Sequence, residues 1–233
     1  MNLNDFENLI LTELLTVTEI ILKKNSTPNI SAKARVGAEI SDLLEKQFVV
    51  ETQNHPYFKN SRFSPEGATK NPWDVMTYFC INGHEEMIWI DFKAVKVSSA
   101  DSNPDIGTPD KIFDLINQGY FYLAYIFVYY EENKNGLKFV KNNDNELVKI
   151  YFLKDISSTF RRNPKNQLQV NIQAKPEKRT RSDFINILFD KIIESHKRQI
   201  NISKKKLKDI EESGIKDKLL TENKRQEQKI KKI

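Results

Sequence analysis

The stretch from Asn71 to Lys96, NPWDVMTYFCINGHEEMIWIDFKAVK, decides the fold of this chain. Both of its halves have the apolar, aromatic and β-branched content of strands, and the NGH between them is a hairpin signal. We therefore predict strands over about 73–81 and 85–97. The second half, MIWIDFKAV, holds Asp91 and Lys93 two residues apart, and alternation along a strand puts both charges on one face.

A simple ion pair on an exposed strand face is one interpretation of Asp91 and Lys93, and such a pair contributes little energy. The position of Asp74 favours a second interpretation. In an antiparallel hairpin that turns at Asn82–Gly83, Asp74 lies close to Asp91, and two carboxylates at that distance repel each other unless a cation separates them. Glu39 projects from the predicted helix before this hairpin and is a further candidate acid.

Carboxylates that converge with one lysine suit Mg²⁺-dependent hydrolysis of a phosphodiester. A hard cation takes oxygen ligands and keeps several waters. It polarises a phosphoryl oxygen and lowers the pKa of a bound water. A lysine held by the same acids orients that water and offsets negative charge in the transition state.

The order P-W-D at 72–74, hairpin, I-D-F-K at 90–93 resembles the PD-(D/E)xK nuclease superfamily. This resemblance implies an α/β fold in which a central mixed β-sheet is flanked by helices. It also implies a set of site residues: metal ligation by Asp74, Asp91 and the main-chain carbonyl of Phe92, catalysis by Lys93, and Glu39 as the acid on the helix. Trp73 separates the proline from Asp74, so the first acid is assigned by its position and not by a literal P-D pair.

Several stretches also resemble the SwaI-type type II restriction endonucleases, over about residues 28–200. These stretches are RVGAEISD (35–42), KNPWD (70–74), IWIDFKA (88–94), DSNPDIGTP (101–109), YYE (129–131) and QVNI (169–172). The resemblance implies a Mg²⁺-dependent homodimer that cuts double-stranded DNA within an A/T-rich palindrome and leaves 5′-phosphates. A cognate DNA methyltransferase is then expected in the same cell.

The segment NPKNQLQVNIQA (163–174) alternates strictly and is predicted to be a strand that reads DNA. Its amides can bond adenine bidentately in the major groove, although an edge strand with a polar solvent face has the same pattern. The amides are Gln167, Gln169, Asn171 and Gln173. Basic residues that bracket the segment are candidate phosphate contacts: Lys165, Lys175, Lys178, Arg179 and Arg181. Further candidate DNA contacts lie in loops or at a helix start: Arg35, Lys70, Asn71, Ser102 and Asn103.

The rest of the pattern gives the organisation of the chain. We expect one domain over 1–200, with a catalytic core at about 33–155 and a DNA-reading segment at about 160–181, followed by a charged helical tail over 201–233. Helices are predicted over 3–24, 33–50, 111–118 and 181–200, strands over 120–131 and 147–153, and loops over 51–70 and 98–111.

Composition is consistent with a DNA-binding protein of the cytoplasm. The net charge is +5, and the last 37 residues hold thirteen Lys/Arg against six Asp/Glu. A single cysteine, Cys80, excludes an internal disulfide, and no run is long and apolar enough for a membrane helix. The N-terminus lacks the basic region of a secretory signal.

Two alternatives remain open at this point. One is a repair or junction-resolving nuclease on the same fold. The other is a DNA-binding protein without catalysis, in which Asp74, Asp91 and Lys93 form a structural ion-pair cluster.

Overall fold

A computed structural model describes residues 1–26, 28, 30, 36–64, 73–98, 103–119, 122–133, 136–163 and 167–230. The chain divides into two compact units, Met1–Ile187 and Leu188–Ile233. The first unit is built on a six-stranded mixed sheet. Its strands are β1 (Phe58–Phe63), β2 (Val75–Ile81), β3 (His84–Lys96), β4 (Leu123–Asn133), β5 (Gly136–Phe139) and β6 (Val148–Phe152). β1, β2 and β3 are antiparallel neighbours, β3 and β4 are parallel, and β4 pairs antiparallel with both β5 and β6.

The predicted hairpin is confirmed. β2 and β3 pair in an unbroken register from Val75↔Ile90 to Ile81↔His84. Asn82 and Gly83, between them, have φ values of 49° and 77°. A two-residue turn with positive φ at both positions matches the twist of the strands, and Asn-Gly adopts it at little cost.

Two helices cover one face of the sheet, α1 (Leu3–Lys24) and α2 (Val36–Glu51). Their apolar stripes form a continuous core with alternate residues of β3 and β4, among them Ile90, Phe92 and Ile126. Asn2 caps α1 with a reciprocal bond pair to Asp5, which satisfies backbone groups at the helix start. The predicted central mixed sheet flanked by helices is therefore what the structure has.

The opposite face of the sheet carries the residues of β3 and β4 that alternate with those of the core. Asp91, Lys93 and Tyr125 are among them. Backbone from two distant parts of the chain lies over this face. Tyr125 donates to the Ile106 carbonyl at 3.0 Å, and the buried ammonium of Lys149 donates to the carbonyls of Ile172 and Ala174, each at 2.9 Å.

The amide-rich segment departs from the prediction of one continuous strand. Among the described residues of this segment, only those of β8 (Leu168–Gln169) form a strand, which pairs with β7 (Arg161–Arg162). The predicted alternation nevertheless holds, because Leu168, Val170 and Ile172 are all buried. The segment bonds its backbone to residues 103–107, which belong to the predicted loop after β3.

Three short strands, β1, β5 and β7, were not predicted. β1 lies inside the stretch 51–70, which was expected to be a loop, and β5 follows β4. β1 is polar and irregular: Asn60 has a φ of 54°, and the register shifts between Lys59 and Arg62. The predicted helix at 111–118 is confirmed as α3 (Pro109–Asn117), capped by Thr108.

Long helices dominate the rest of the chain. α4 (Arg181–Glu212) begins in the first unit and continues into the second, and α5 (Ile215–Ile230) follows Gly214, whose φ is 61°. The charged tail over 201–233, predicted to be helical, lies in the second unit, where its described residues form the end of α4 and the whole of α5. Within the residues that the structure describes, no helix has the length and apolarity needed to cross a bilayer.

Candidate active site

The β2–β3 hairpin brings Asp74 and Asp91 together as predicted. Asp74 directly precedes β2, and its amide donates to the Ile90 carbonyl at 2.8 Å, one residue out of the register of the ladder, which holds Asp74 beside Asp91. The Asp74 Oδ2 accepts from the Phe92 amide at 2.8 Å. This bond fixes the first carboxylate against the strand that carries the second, so the backbone itself holds the pair.

Lys93 completes the cluster from the same strand face. Its Nζ donates to Asp91 Oδ1 at 2.6 Å, a short charge-assisted bond. The Asp91 side chain is 4% exposed and the Lys93 side chain 28% exposed. The ion pair is therefore not the solvated surface pair that the simplest interpretation of the sequence expects.

The pKa of Asp91 is raised chiefly by its burial. Burial raises the pKa of Asp91 well above its ordinary value; Lys93 opposes the increase, whereas the charge of Asp74 and a hydrogen bond between the two carboxyl groups add to it. Burial disfavours the charged form of Lys93, but Asp91 and Asp74 outweigh it and raise the pKa of the ammonium. The raised pKa favours the protonated form of Asp91, and a cation bound beside it would favour the carboxylate instead.

A third acid of the cluster is Glu45, on α2. Its pKa rises from 4.5 to about 7, first because of burial and then because of the charges of Asp74 and Asp42, with Lys93 opposing. The acid predicted from the sequence, Glu39, lies six residues earlier. Six residues are 240° around a helix, and Glu39 is exposed, with no hydrogen bond or ion pair to the cluster among the described residues. Its assignment stays a prediction, but the structure brings Glu45 and not Glu39 to the cluster.

The carbonyl of Phe92, between Asp91 and Lys93, is held by α2. Ser41 donates its hydroxyl to this oxygen at 3.0 Å. A carbonyl oxygen has two lone pairs, so one remains for another partner. Ser41 and Glu45 are one helical turn apart, which makes α2 the element that aligns both groups with the hairpin.

A divalent cation fits the donor atoms that remain. One oxygen of Asp74 is bonded to the Phe92 amide and one oxygen of Asp91 to Lys93, and the two carboxyl groups interact with each other. Among the described residues, no three His, Cys, Asp or Glu side chains form a metal cluster. A cation here would rest on two carboxylates, the Phe92 carbonyl and water, which is how Mg²⁺ is commonly bound.

Several predicted DNA contacts are engaged inside the protein. Gln169 donates to the Asn103 carbonyl at 3.1 Å and to Asp105 at 3.4 Å, and it accepts from Arg161. The side-chain oxygen of Asn103 accepts from the Ile172 amide. These bonds tie the segment 167–172 to the loop after β3.

Other candidates of this set differ in their exposure and partners. Gln167 accepts from Asn163, and Asn171 bonds Thr159. Arg179 donates to the carbonyls of Lys154 and Ile156 and pairs with Glu177, whereas Arg181 lies over the ring of Tyr122. Gln173, Lys175 and Lys178 are exposed. Arg35, Lys70, Asn71, Ser102 and Lys165 lie outside the described residues, so their roles stay predictions.

A comparison with protein families matches the SwaI restriction endonuclease family over residues 2–210. The chain belongs to the SwaI-like family of restriction endonucleases. It is therefore a nuclease, a hydrolase that binds DNA, and the resemblance to the SwaI-type restriction endonucleases drawn from the sequence is confirmed. A search of the curated proteins finds no match. The match to the SwaI-like family covers the sheet, the acid pair and most of α4.

Three residues of the site were missed in the sequence: Ser41, Glu45 and Tyr125. Ser41 and Glu45 border the buried stripe of α2 (Ile40, Leu44 and Phe48), and this position beside the stripe was the available signal. Tyr125 is the cross-strand neighbour of Asp91 in β4. It stands in an apolar run, where nothing distinguishes it from a core aromatic.

Proposed function

We propose that the protein is a type II restriction endonuclease of the PD-(D/E)xK fold. It hydrolyses DNA phosphodiester bonds with Mg²⁺, within a palindromic A/T-rich site, and leaves 5′-phosphates. The observation that carries the proposal is the pair of half-buried Asp74 and buried Asp91, with the Lys93 ammonium 2.6 Å from Asp91. The order of helix, hairpin, helix and strand around this pair supports the fold assignment.

Each residue of the cluster has a role in this proposal. Asp74, Asp91 and the Phe92 carbonyl hold the ion, which when bound polarises the phosphate and lowers the pKa of water. Lys93 orients the attacking water and offsets charge on the phosphate. Glu45, with a pKa of about 7, exchanges protons near neutral pH, where a general base is most effective. Ser41 positions the Phe92 carbonyl.

Sequence specificity is proposed to come from the exposed part of the amide-rich segment. Gln173 is exposed and makes no side-chain hydrogen bond among the described residues. Lys175 and Lys178 follow it in the chain, and both are exposed, although the Lys178 ammonium donates to Asn8 Oδ1. An amide suits adenine, in agreement with an A/T-rich site, and the lysines suit phosphates. Gln169 and Asn103 instead hold the segment against the loop after β3, so they support the reading surface from within.

A double-strand cut requires two active sites, and the described residues of this chain form one. The enzyme is proposed to act as a homodimer that reads a palindrome with two-fold symmetry. It acts in the cytoplasm, where a methyltransferase of the same specificity protects the host DNA.

Cleavage of supercoiled plasmid by the purified protein, with Mg²⁺ and with EDTA, tests the proposal. The wild type is expected to linearise plasmid only with Mg²⁺, and Asp91→Asn is expected to bind DNA without cutting it. Nicking by Asp91→Asn at the wild-type rate would refute the site. A wild type that binds DNA but never cuts it would favour the DNA-binding alternative.

A further inference from the structure

The second half of α4 carries an apolar stripe that the chain itself leaves exposed. Ile193, Ile200, Leu207 and Ile210 are 49%, 54%, 59% and 67% exposed, respectively. His196 and Ser203 lie between them on the same side of the helix. The six residues are alternately three and four positions apart, which is the a/d pattern of a coiled coil, with Ile193, Ile200 and Leu207 at a and His196, Ser203 and Ile210 at d. The stripe from Ile193 to Ile210 is about 27 Å long at 1.5 Å per residue.

This stripe is distinct from the face that α4 buries. Phe184, Leu188 and Ser195 are 2%, 1% and 4% exposed, and they lie at least a quarter turn around the helix from the centre of the stripe. Ile202, 50% exposed, projects to the far side of the helix and is an isolated apolar residue. The six residues of the stripe therefore constitute a separate surface, with β-branched Ile at two of its three a positions.

The charged residues beside the stripe favour a second copy of α4 as its partner, with the two helices parallel. In the last two heptads, Gln199 and Lys206 take the g positions, and Lys204 and Glu211 take the e positions. In a parallel in-register pair, Lys206 of one copy meets Glu211 of the other, twice by symmetry, and Gln199 meets Lys204. An antiparallel pair that uses all six stripe residues instead sets Lys197 against Lys204, which is repulsive.

We propose that α4 pairs with α4 of a second copy through this stripe, parallel and in register. The choice of a second copy rests on the proposed function, because a double-strand cut needs two active sites. Two helices in contact over about 27 Å bury an area at the lower end of the roughly 1,200–2,000 Å² of stable interfaces. The dimer is therefore expected to dissociate in the micromolar range and to be reinforced when both copies hold one DNA duplex.

Cross-linking tests the direction of the pair. In a Cys80→Ala background, Ser203→Cys places one thiol at a d position in each copy, close enough for a disulfide in a parallel pair. Lys205→Cys, on the opposite side of the same helix, is the matched control. Mild oxidation is expected to cross-link Ser203→Cys to a dimer and to leave Lys205→Cys monomeric. Equal cross-linking of both, or of neither, would overturn the parallel in-register pair.

Sedimentation of the metal-free protein tests the stripe itself. Ile200→Lys is expected to raise the dimer dissociation constant by at least about tenfold, whereas the matched Ile202→Lys leaves it unchanged. Equal effects of the two variants would refute the stripe. If Ile200→Lys stays dimeric but binds DNA less tightly, α4 is a DNA contact and the dimer lies elsewhere.

The two proposals fail separately in these experiments. Sedimentation and cross-linking need no catalysis, so a dimer that depends on Ile200 stands even if the protein cuts no DNA. Conversely, a wild type that cuts both strands and does not depend on Ile200 refutes only the interface. Lys93→Ala, which lies in the proposed catalytic cluster, is expected to sediment as the wild type does.

Discussion

Glu45 is the acid whose replacement most sharply separates the structure from the sequence-based expectation. We predict that Glu45→Gln makes the metal-free protein more stable above neutral pH and leaves its stability almost unchanged near pH 4.5. The pKa of Glu45 is about 7 in the folded protein and 4.5 when exposed. As pH rises from 4.5 to 7, Glu45 loses its proton in the unfolded chain but keeps it in the folded protein. The free energy of unfolding therefore falls over this pH range.

The magnitude follows from the same two values. A difference of about 2.5 pKa units corresponds to about 3.4 kcal/mol at 1.36 kcal/mol per unit. Glu45 is only half-buried, and solvent screening reduces this to about 2 kcal/mol. Because Gln carries no charge at any pH, Glu45→Gln is expected to recover about 2 kcal/mol at pH ~8.

Urea unfolding in EDTA at both pH values, followed by tryptophan fluorescence, measures the effect. Glu39→Gln is the matched control on the exposed side of α2 and is expected to change stability by less than about 0.5 kcal/mol. A Glu45→Gln protein no more stable than wild type at the higher pH would refute the placement of Glu45 among the acids. So would an equal gain from Glu39→Gln.

The remaining predictions concern single contacts. Lys93→Ala is expected to lower the cleavage rate by at least about a hundredfold while DNA affinity in a gel shift stays within threefold, because the lysine acts on the transition state. Tyr125→Phe, which loses the bond to the Ile106 carbonyl, is expected to lower the free energy of unfolding by about 1–2 kcal/mol. Gln169→Ala is expected to lower the free energy of unfolding by a similar amount. Gln173→Ala is expected to leave stability unchanged and to weaken binding of cognate DNA by about tenfold. Loss of stability in Gln173→Ala, with weaker DNA binding only in Gln169→Ala, would refute the roles proposed for the two amides.

The β2–β3 hairpin could be predicted because its signals are local. Alternation, the Asn-Gly turn and strand composition together fix the register, and this register brings Asp74, just before Val75, close to Asp91, just after Ile90. β1 could not be found in the same way. Its sequence, FKNSRF, is polar and irregular, and it is a strand because it pairs with the edge of β2.

The helix acid was missed for a different reason. Both Glu39 and Glu45 stand in an amphipathic pattern, and the sequence shows which face of α2 is buried but not where the hairpin lies beside it. The amide-rich segment illustrates the same limit. Its burial alternates as predicted, but whether Gln169 faces DNA or bonds Asn103 depends on a loop more than sixty residues away in the chain.

The central claim is that the cluster of Asp74, Asp91 and Lys93 cuts DNA at one sequence. Its most direct test is digestion of a sequenced phage genome by the purified protein with Mg²⁺, with every new end mapped and Lys93→Ala as control. The account predicts discrete fragments whose 5′-phosphorylated ends all fall within one A/T-rich palindrome, and none with Lys93→Ala. Ends scattered over unrelated sequences, or the same fragments from Lys93→Ala, would contradict it.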